Sequence, residues 1–241
     1  MELTYYDYIV LLIMAVSIIF GIYKGFISSA GSILVTLCAW GGALLFTDDL
    51  ALLIQQKTNI LEEIIYYVQA DETIADLTLR KTSIFSLSAE TIAEAVEGAN
   101  IPEFFKPHII QNINNQVFDA VETLGDYFDY TVGSAILNIL CFFGILIIVA
   151  LITSIVKSGL EAMFKLPALR YVDGLLGAGF GAIRGLFIVY AFFMLLPVLL
   201  LVMPESIITK YLGNVSDAPI ASVFYDNNIL LKYIGGFIKL T

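Results

Sequence analysis

The sequence predicts an all-α integral membrane protein, with four transmembrane helices and a helical extramembrane segment inserted between the second and third. Three observations predict it. Of 241 residues, 59% are hydrophobic and only 14% are charged, against roughly 45–50% and about 25% in soluble domains. The mean hydropathy is +0.88. The charges are also segregated: residues 47–130 hold fifteen acids against four bases, more than the whole formal net charge of −10. This composition excludes a disordered chain. The pI near 4.4 excludes the basic footprint of a nucleic-acid binder.

The first predicted span covers about 6–23. Its uncharged core is Tyr8–Tyr23, somewhat short, and Tyr5 and Tyr6 flank it as an interfacial belt. Glu2 and Asp7 precede the core, so the positive start of a cleaved signal peptide is missing and an uncleaved anchor is expected. The second span, about 26–46, follows at once and completes a first transmembrane hairpin over 1–46. Thr131–Val156 carries no charge and predicts a third span over 132–156. A helix needs about 20 apolar residues to cross the hydrocarbon core. Leu175–Met203 is interrupted only by Arg184 and predicts the fourth span, 175–203. A second transmembrane hairpin is therefore expected over 131–203.

Short loops rich in Lys and Arg stay on the cytoplasmic side. Lys24 lies between spans one and two. Lys157, Lys165 and Arg170 lie between spans three and four. Both connections face the same side of a four-span protein. The N-terminus, the 47–130 block and the C-terminus are then expected to be extracytoplasmic.

The 47–130 block is too long for a loop without structure of its own. Apolar residues at Ile110, Ile113, Val117, Val121, Leu124 and Phe128 follow helical spacing and predict one helix after Pro107. Ser88 opens a shorter helix that ends near Gly98, and Leu61, Ile64, Ile65 and Val68 predict another. The segment reads as a helical subdomain or a partner-docking surface. In the tail, 204–241, Leu230, Leu231, Ile234, Phe237 and Ile238 predict an amphipathic helix lying on the membrane.

A pattern F-G-x-x-[K/R]-G occurs twice, at Phe20–Gly25 and Phe180–Gly185. In the second copy Gly177, Gly181 and Gly185 recur every four residues, with Gly174 before them. Such a face lets another helix backbone approach closely. Gly21, Gly25, Gly174, Gly177, Gly181 and Gly185 are therefore the expected helix-packing residues, within the chain or between copies. A flexible helix lining a pathway is the other reading. Lys24, Asp173 and Arg184 are the charges at or inside the membrane. Arg184 could bind a lipid phosphate, pair with an acid, face water, or snorkel to the headgroups if the span begins near Leu186.

At these residues the sequence resembles the colicin V production protein family. The resemblance is carried by Asp7 entering the first span, by Gly21, Lys24, Gly25 and Phe26, by Trp40 and Gly41, and by Asp173, Leu176, Gly177, Gly181, Arg184 and Gly185. Ser28 and Ser29 stand where the family often has an Arg-Glu pair. The resemblance implies a bacterial inner-membrane protein linked to colicin V production or export, and more broadly to envelope physiology. It implies no reaction.

Cys38 and Cys141 both fall inside predicted spans and are expected to be packing residues, not a disulfide or a metal site. His108 is the only histidine, and no nucleophile is evident beside it. No catalytic, cofactor-binding or metal residues are expected. The expected protein is non-enzymatic, embedded in the lipid bilayer, and assembles with itself or with an export or envelope partner. The alternative is a small transporter or channel subunit that uses the glycine-rich fourth helix and Arg184.

Overall fold

The computed structural model describes residues 3–116, 121–163, 170–203 and 215–228. The described residues form eight α-helices and contain no strand: α1 (Tyr5–Lys57), α2 (Ile60–Val68), α3 (Leu77–Arg80), α4 (Ala89–Gly98), α5 (Phe105–Asn114), α6 (Leu124–Met163), α7 (Arg170–Val202) and α8 (Ala221–Asp226). Three of them are long and apolar enough to cross a membrane: α1, α6 and α7. The tail expected to lie on the membrane around Leu230–Ile238 falls outside the described residues.

The 53 residues of α1 would reach about 80 Å if straight. They are not straight. Gly25 has φ 75° and ψ 177°, a region essentially restricted to glycine. It divides α1 into an N-terminal arm ending at Lys24 and a C-terminal arm starting at Phe26. The Ser29 hydroxyl donates to the Gly21 carbonyl at 3.2 Å. Eight residues of straight helix would separate them by about 12 Å, so the chain turns sharply at Gly25.

The C-terminal arm runs past the predicted end at 46, through Asp48 and Asp49, to Lys57. Hydropathy marks where charge begins, and charge alone does not stop a helix. Leu50–Lys57 is rich in good helix formers with no glycine or proline. A second expectation needs correction. The apolar spacing from Ile110 to Phe128 does not make one helix. α5 ends at Asn114, and Gln116 adopts φ 47°. α6 starts at Leu124, where Ile84 N–H donates to the Glu122 carbonyl and Leu124 N–H to the Thr82 carbonyl. Thr123 opens α6: its hydroxyl accepts from the Asp126 N–H at 3.2 Å and donates to the Asp126 carboxylate at 2.6 Å, a reciprocal cap.

The chain divides into two compact units. One comprises Met1–Thr47, Phe142–Leu195 and Pro204–Leu230, and the other Asp48–Cys141, Leu196–Met203 and Leu231–Thr241. The second unit has an apolar core of Ile84, Val96, Phe105, Ile109, Leu124 and Phe128 with Val132 and Ala135 of α6. Burying each such large side chain is worth about 1.5–3 kcal/mol. Polar pairs tie this unit together: the buried Asn112 donates to the Thr131 hydroxyl at 3.1 Å, and the half-buried Arg80 meets Asp71 at 2.8 Å. Cys141 is buried there against Ala51, Leu61 and Leu137. The first unit carries the glycine steps and is described next.

Candidate functional site

The site grows from one stripe of α7. Gly177, Gly181 and Gly185 are all buried, and the same stripe continues through Val189 and Phe193. Four-residue spacing keeps these positions on one helix face. The N-terminal arm of α1 lies directly on that face. Gly21 meets Gly177 and Gly181, Ser17 and Ile18 meet Gly181, and Met14 and Ser17 meet Gly185. The partners fall on α7 as they rise on α1, so the two helices are antiparallel.

The contact is backbone on backbone. A Cβ on Gly21 would collide with the Gly177 carbonyl oxygen, and a Cβ on Gly177 with the Gly21 carbonyl oxygen. Gly181 is packed as tightly, against the Ser17 carbonyl. The Ser17 hydroxyl donates to the Gly181 carbonyl at 2.7 Å. Gly185 is less constrained, since a Cβ there would first meet the flexible Met14 sulfur, at 2.9 Å. Gly174 is not constrained by packing: a Cβ there would lie at an ordinary 3.8 Å from Ile22.

The turn at Gly25 is held from the same helix. Asp173, in the first turn of α7, accepts from the Phe26 N–H at 2.7 Å through Oδ1. Its Oδ2 occupies the place a Gly25 Cβ would need. A carboxylate here caps a free N–H and meets the positive end of the new helix. Phe26 stacks against Phe180, with ring centres 5.3 Å apart. Further along, Trp40 packs edge-on against Phe187 at 4.7 Å and Phe142 at 6.1 Å. The C-terminal arm thus ascends α7, from Phe180 to Phe187, where the N-terminal arm descends it.

Two cations share one ring. Lys24 Nζ lies 4.6 Å from the centre of Phe20, and the Arg184 guanidinium 5.4 Å from it. Arg184 Nε also donates to the Ser17 hydroxyl at 3.4 Å.

Sequence reasoning assigned no bonding role to Asp7, Ser28, Ser32, Gly31 or Lys157. Asp7 is fully buried, and its carboxylate accepts from the N–H groups of Thr4, Ile220 and Ala221. Ser28 and Ser32 lie one turn apart, and Lys157 Nζ reaches both, at 3.4 and 2.8 Å. Gly31 leaves the lysine stem room to cross, for its Cβ would lie 2.9 Å from Lys157 Cε. The signal was a serine pair spaced by four in an otherwise apolar run.

Among the described residues no group of three or more His, Cys, Asp or Glu side chains is placed to hold a metal ion. Cys38 is exposed and Cys141 buried, both unpaired. His108 lies outside this junction, with its ring 5.0 Å from that of Phe104. What the arrangement does chemically is to close two glycine steps on each other and cap the turn between two helical arms.

No curated protein and no solved structure matches the chain. A family model described as colicin V production protein matches residues 6–88 and 115–221. The skipped stretch, 89–114, holds α4 and α5. The matched stretches make up most of the chain and hold both glycine steps, Asp7, Asp173 and Arg184: the chain belongs to the colicin V production protein family.

Proposed function

We propose that the chain is a four-span, non-enzymatic scaffold of the bacterial inner membrane. It acts in colicin V production or export, or more broadly in envelope physiology, through assembly with itself or with an envelope partner. One observation carries this reading. The motif glycines and Asp173 are spent on packing and capping: Gly21 against Gly177, and Asp173 on Gly25 and the Phe26 N–H. A motif used this way preserves a shape. The sharp turn at Gly25 supports reading α1 as two spans, since about 80 Å of helix far exceeds a bilayer of roughly 30 Å.

The glycine face is covered inside the chain, so assembly uses other surfaces. The outward apolar residues of the N-terminal arm, Leu12, Val16 and Ile19, are exposed in the isolated chain. They would meet lipid or a partner helix. Lys24 and Lys157 would face the cytoplasm, with the 47–130 block outside.

The test is site-specific cross-linking in native membranes from Leu12, Val16 and Ile19. A discrete adduct with a second copy or one envelope protein supports the scaffold. Absence of any protein adduct, together with solute flux in reconstituted liposomes that falls in Arg184→Ala, replaces it with the transporter reading. For topology, a single cysteine at Glu94, with Cys38 and Cys141 replaced by serine, should be labelled from outside the inner membrane. Labelling only from the cytoplasmic side reverses the orientation.

A further inference from the structure

The pair of cations around Phe20 is the least explained feature of the junction. Arg184 offers five N–H donors, and among the described residues only Nε has a partner, the Ser17 hydroxyl at a long 3.4 Å. That hydroxyl already donates to the Gly181 carbonyl, so it meets the arginine as an acceptor. Lys24 Nζ sits over the same ring, 4.6 Å from its centre. Among the described residues neither cation has a carboxylate within ion-pair distance. Asp173, the acid of the junction, is committed to Gly25 and to the Phe26 N–H.

Helix geometry aims both side chains at the same ring. Side chains on a helix lean toward its N-terminus. Arg184 therefore leans down α7, toward the end where the turn lies. Lys24, at the end of the N-terminal arm, leans back toward Phe20. Both reach within 5.4 Å of the centre of one ring. Two like charges at one ring, with no carboxylate in ion-pair range among the described residues, favour an anion, and the guanidinium fork of Arg184 fits two oxygens of one phosphate. Around them Ile19, Ile22 and Ile183 are exposed, and Tyr23 is 88% exposed. Apolar surface beside a phosphate-sized charge is the pattern of a lipid: headgroup on the cations, acyl chain along the isoleucines.

We propose that Lys24, Phe20 and Arg184 form a binding site for the phosphate of an anionic phospholipid. The proposal rests on the four-span reading only for the leaflet, which would be the cytoplasmic one. Binding itself is measured in detergent and stands or falls separately.

The experiment uses the full chain purified in an uncharged detergent. Thermal stability is titrated with phosphatidylglycerol, phosphatidylcholine and inorganic phosphate. Phosphatidylglycerol should stabilise the protein at concentrations about tenfold lower than phosphatidylcholine. Arg184→Gln and Lys24→Gln should each shrink that preference and together remove it, while Arg184→Lys should keep part of it. Lys57→Gln, far along the chain, should leave it intact. Gel filtration shows whether each variant remains folded, and the charge-preserving Arg184→Lys separates loss of binding from loss of fold. Stabilisation by inorganic phosphate alone, lost in the same variants, would assign the site to a soluble anion and overturn the lipid. An equal preference for phosphatidylglycerol in the double variant would overturn the site.

Discussion

The carboxylate of Asp7 accepts a hydrogen bond from the backbone N–H of Ala221, 214 residues later in the chain, at 2.9 Å. The same oxygen takes the Ile220 N–H, and the other takes that of Thr4. Asp7 is thus the anchor of α8, which is held a second time where Asn228 donates to the Tyr190 carbonyl. Rings of Phe224 and Tyr225 rest on Tyr190 and Phe193. A first-turn residue of the first helix fixes the last described one.

Asp7→Ala should therefore destabilise the protein by about 2–3 kcal/mol, because three N–H groups lose a buried acceptor. Asp7→Asn keeps one carbonyl oxygen and should lose less. Thermal denaturation in detergent reads the difference. Limited proteolysis should cut first in 215–228 in Asp7→Ala, and an unchanged cleavage pattern would remove the anchor role.

The glycines should separate into two classes. Gly21→Ala and Gly177→Ala each drive a methyl into a facing carbonyl and should sharply lower the yield of monodisperse protein. Gly174→Ala and Gly185→Ala should be mild, for the first has ordinary contacts and the second meets a movable methionine. Fluorescence-detected gel filtration of the four variants checks this. Equal loss in all four would mean that backbone approach is not what the stripe provides.

Gly25 and Asp173 should be coupled. Gly25→Ala suffers both left-handed backbone strain, about 1–3 kcal/mol, and the collision with the Asp173 carboxylate. In an Asp173→Ala background the collision disappears and the strain remains. The double variant should be more stable than the two single losses added together, by about 1 kcal/mol or more. Strict additivity would argue against the contact.

Stability should depend on pH through His108. Burial pushes its pKa below the ordinary 6.5, and its Nδ1 is buried without a hydrogen-bond partner among the described residues. Between the two pKa values the unfolded chain binds the extra proton, so stability rises with pH in that window. Acidification from about pH 6.5 downward should weaken the fold. His108→Phe should flatten that limb of the stability profile, and an unchanged limb would place its origin elsewhere.

Much of this fold was legible as sequence. Long uncharged runs located three of the apolar stretches, and the repeat of glycines and a basic residue marked the two segments that meet. Asp173 and Arg184 stood out as charges beside those runs. The remainder was hidden for physical reasons. An aspartate's worth lies in what donates to it, and Asp7's donors are more than two hundred residues away. Ser32 is a small polar residue in a helix until Lys157 crosses Gly31 to reach it. The spacing from Ile110 to Phe128 satisfies a helical period without requiring one, because pairing of 82–84 with 122–124 decides that stretch from outside.

The turn at Gly25 also has a place in time. The N–H of Phe26 has its acceptor 147 residues downstream, in Asp173. At 5–20 residues per second, that acceptor leaves the ribosome on the order of 10 s after the turn does. Until then the first hairpin has an uncapped bend, and the Gly21 surface has no facing helix. The beginning of the protein is thus completed by its end. A chain interrupted before α7 would be left with its first two arms unlocked, and so open to recognition as unfinished.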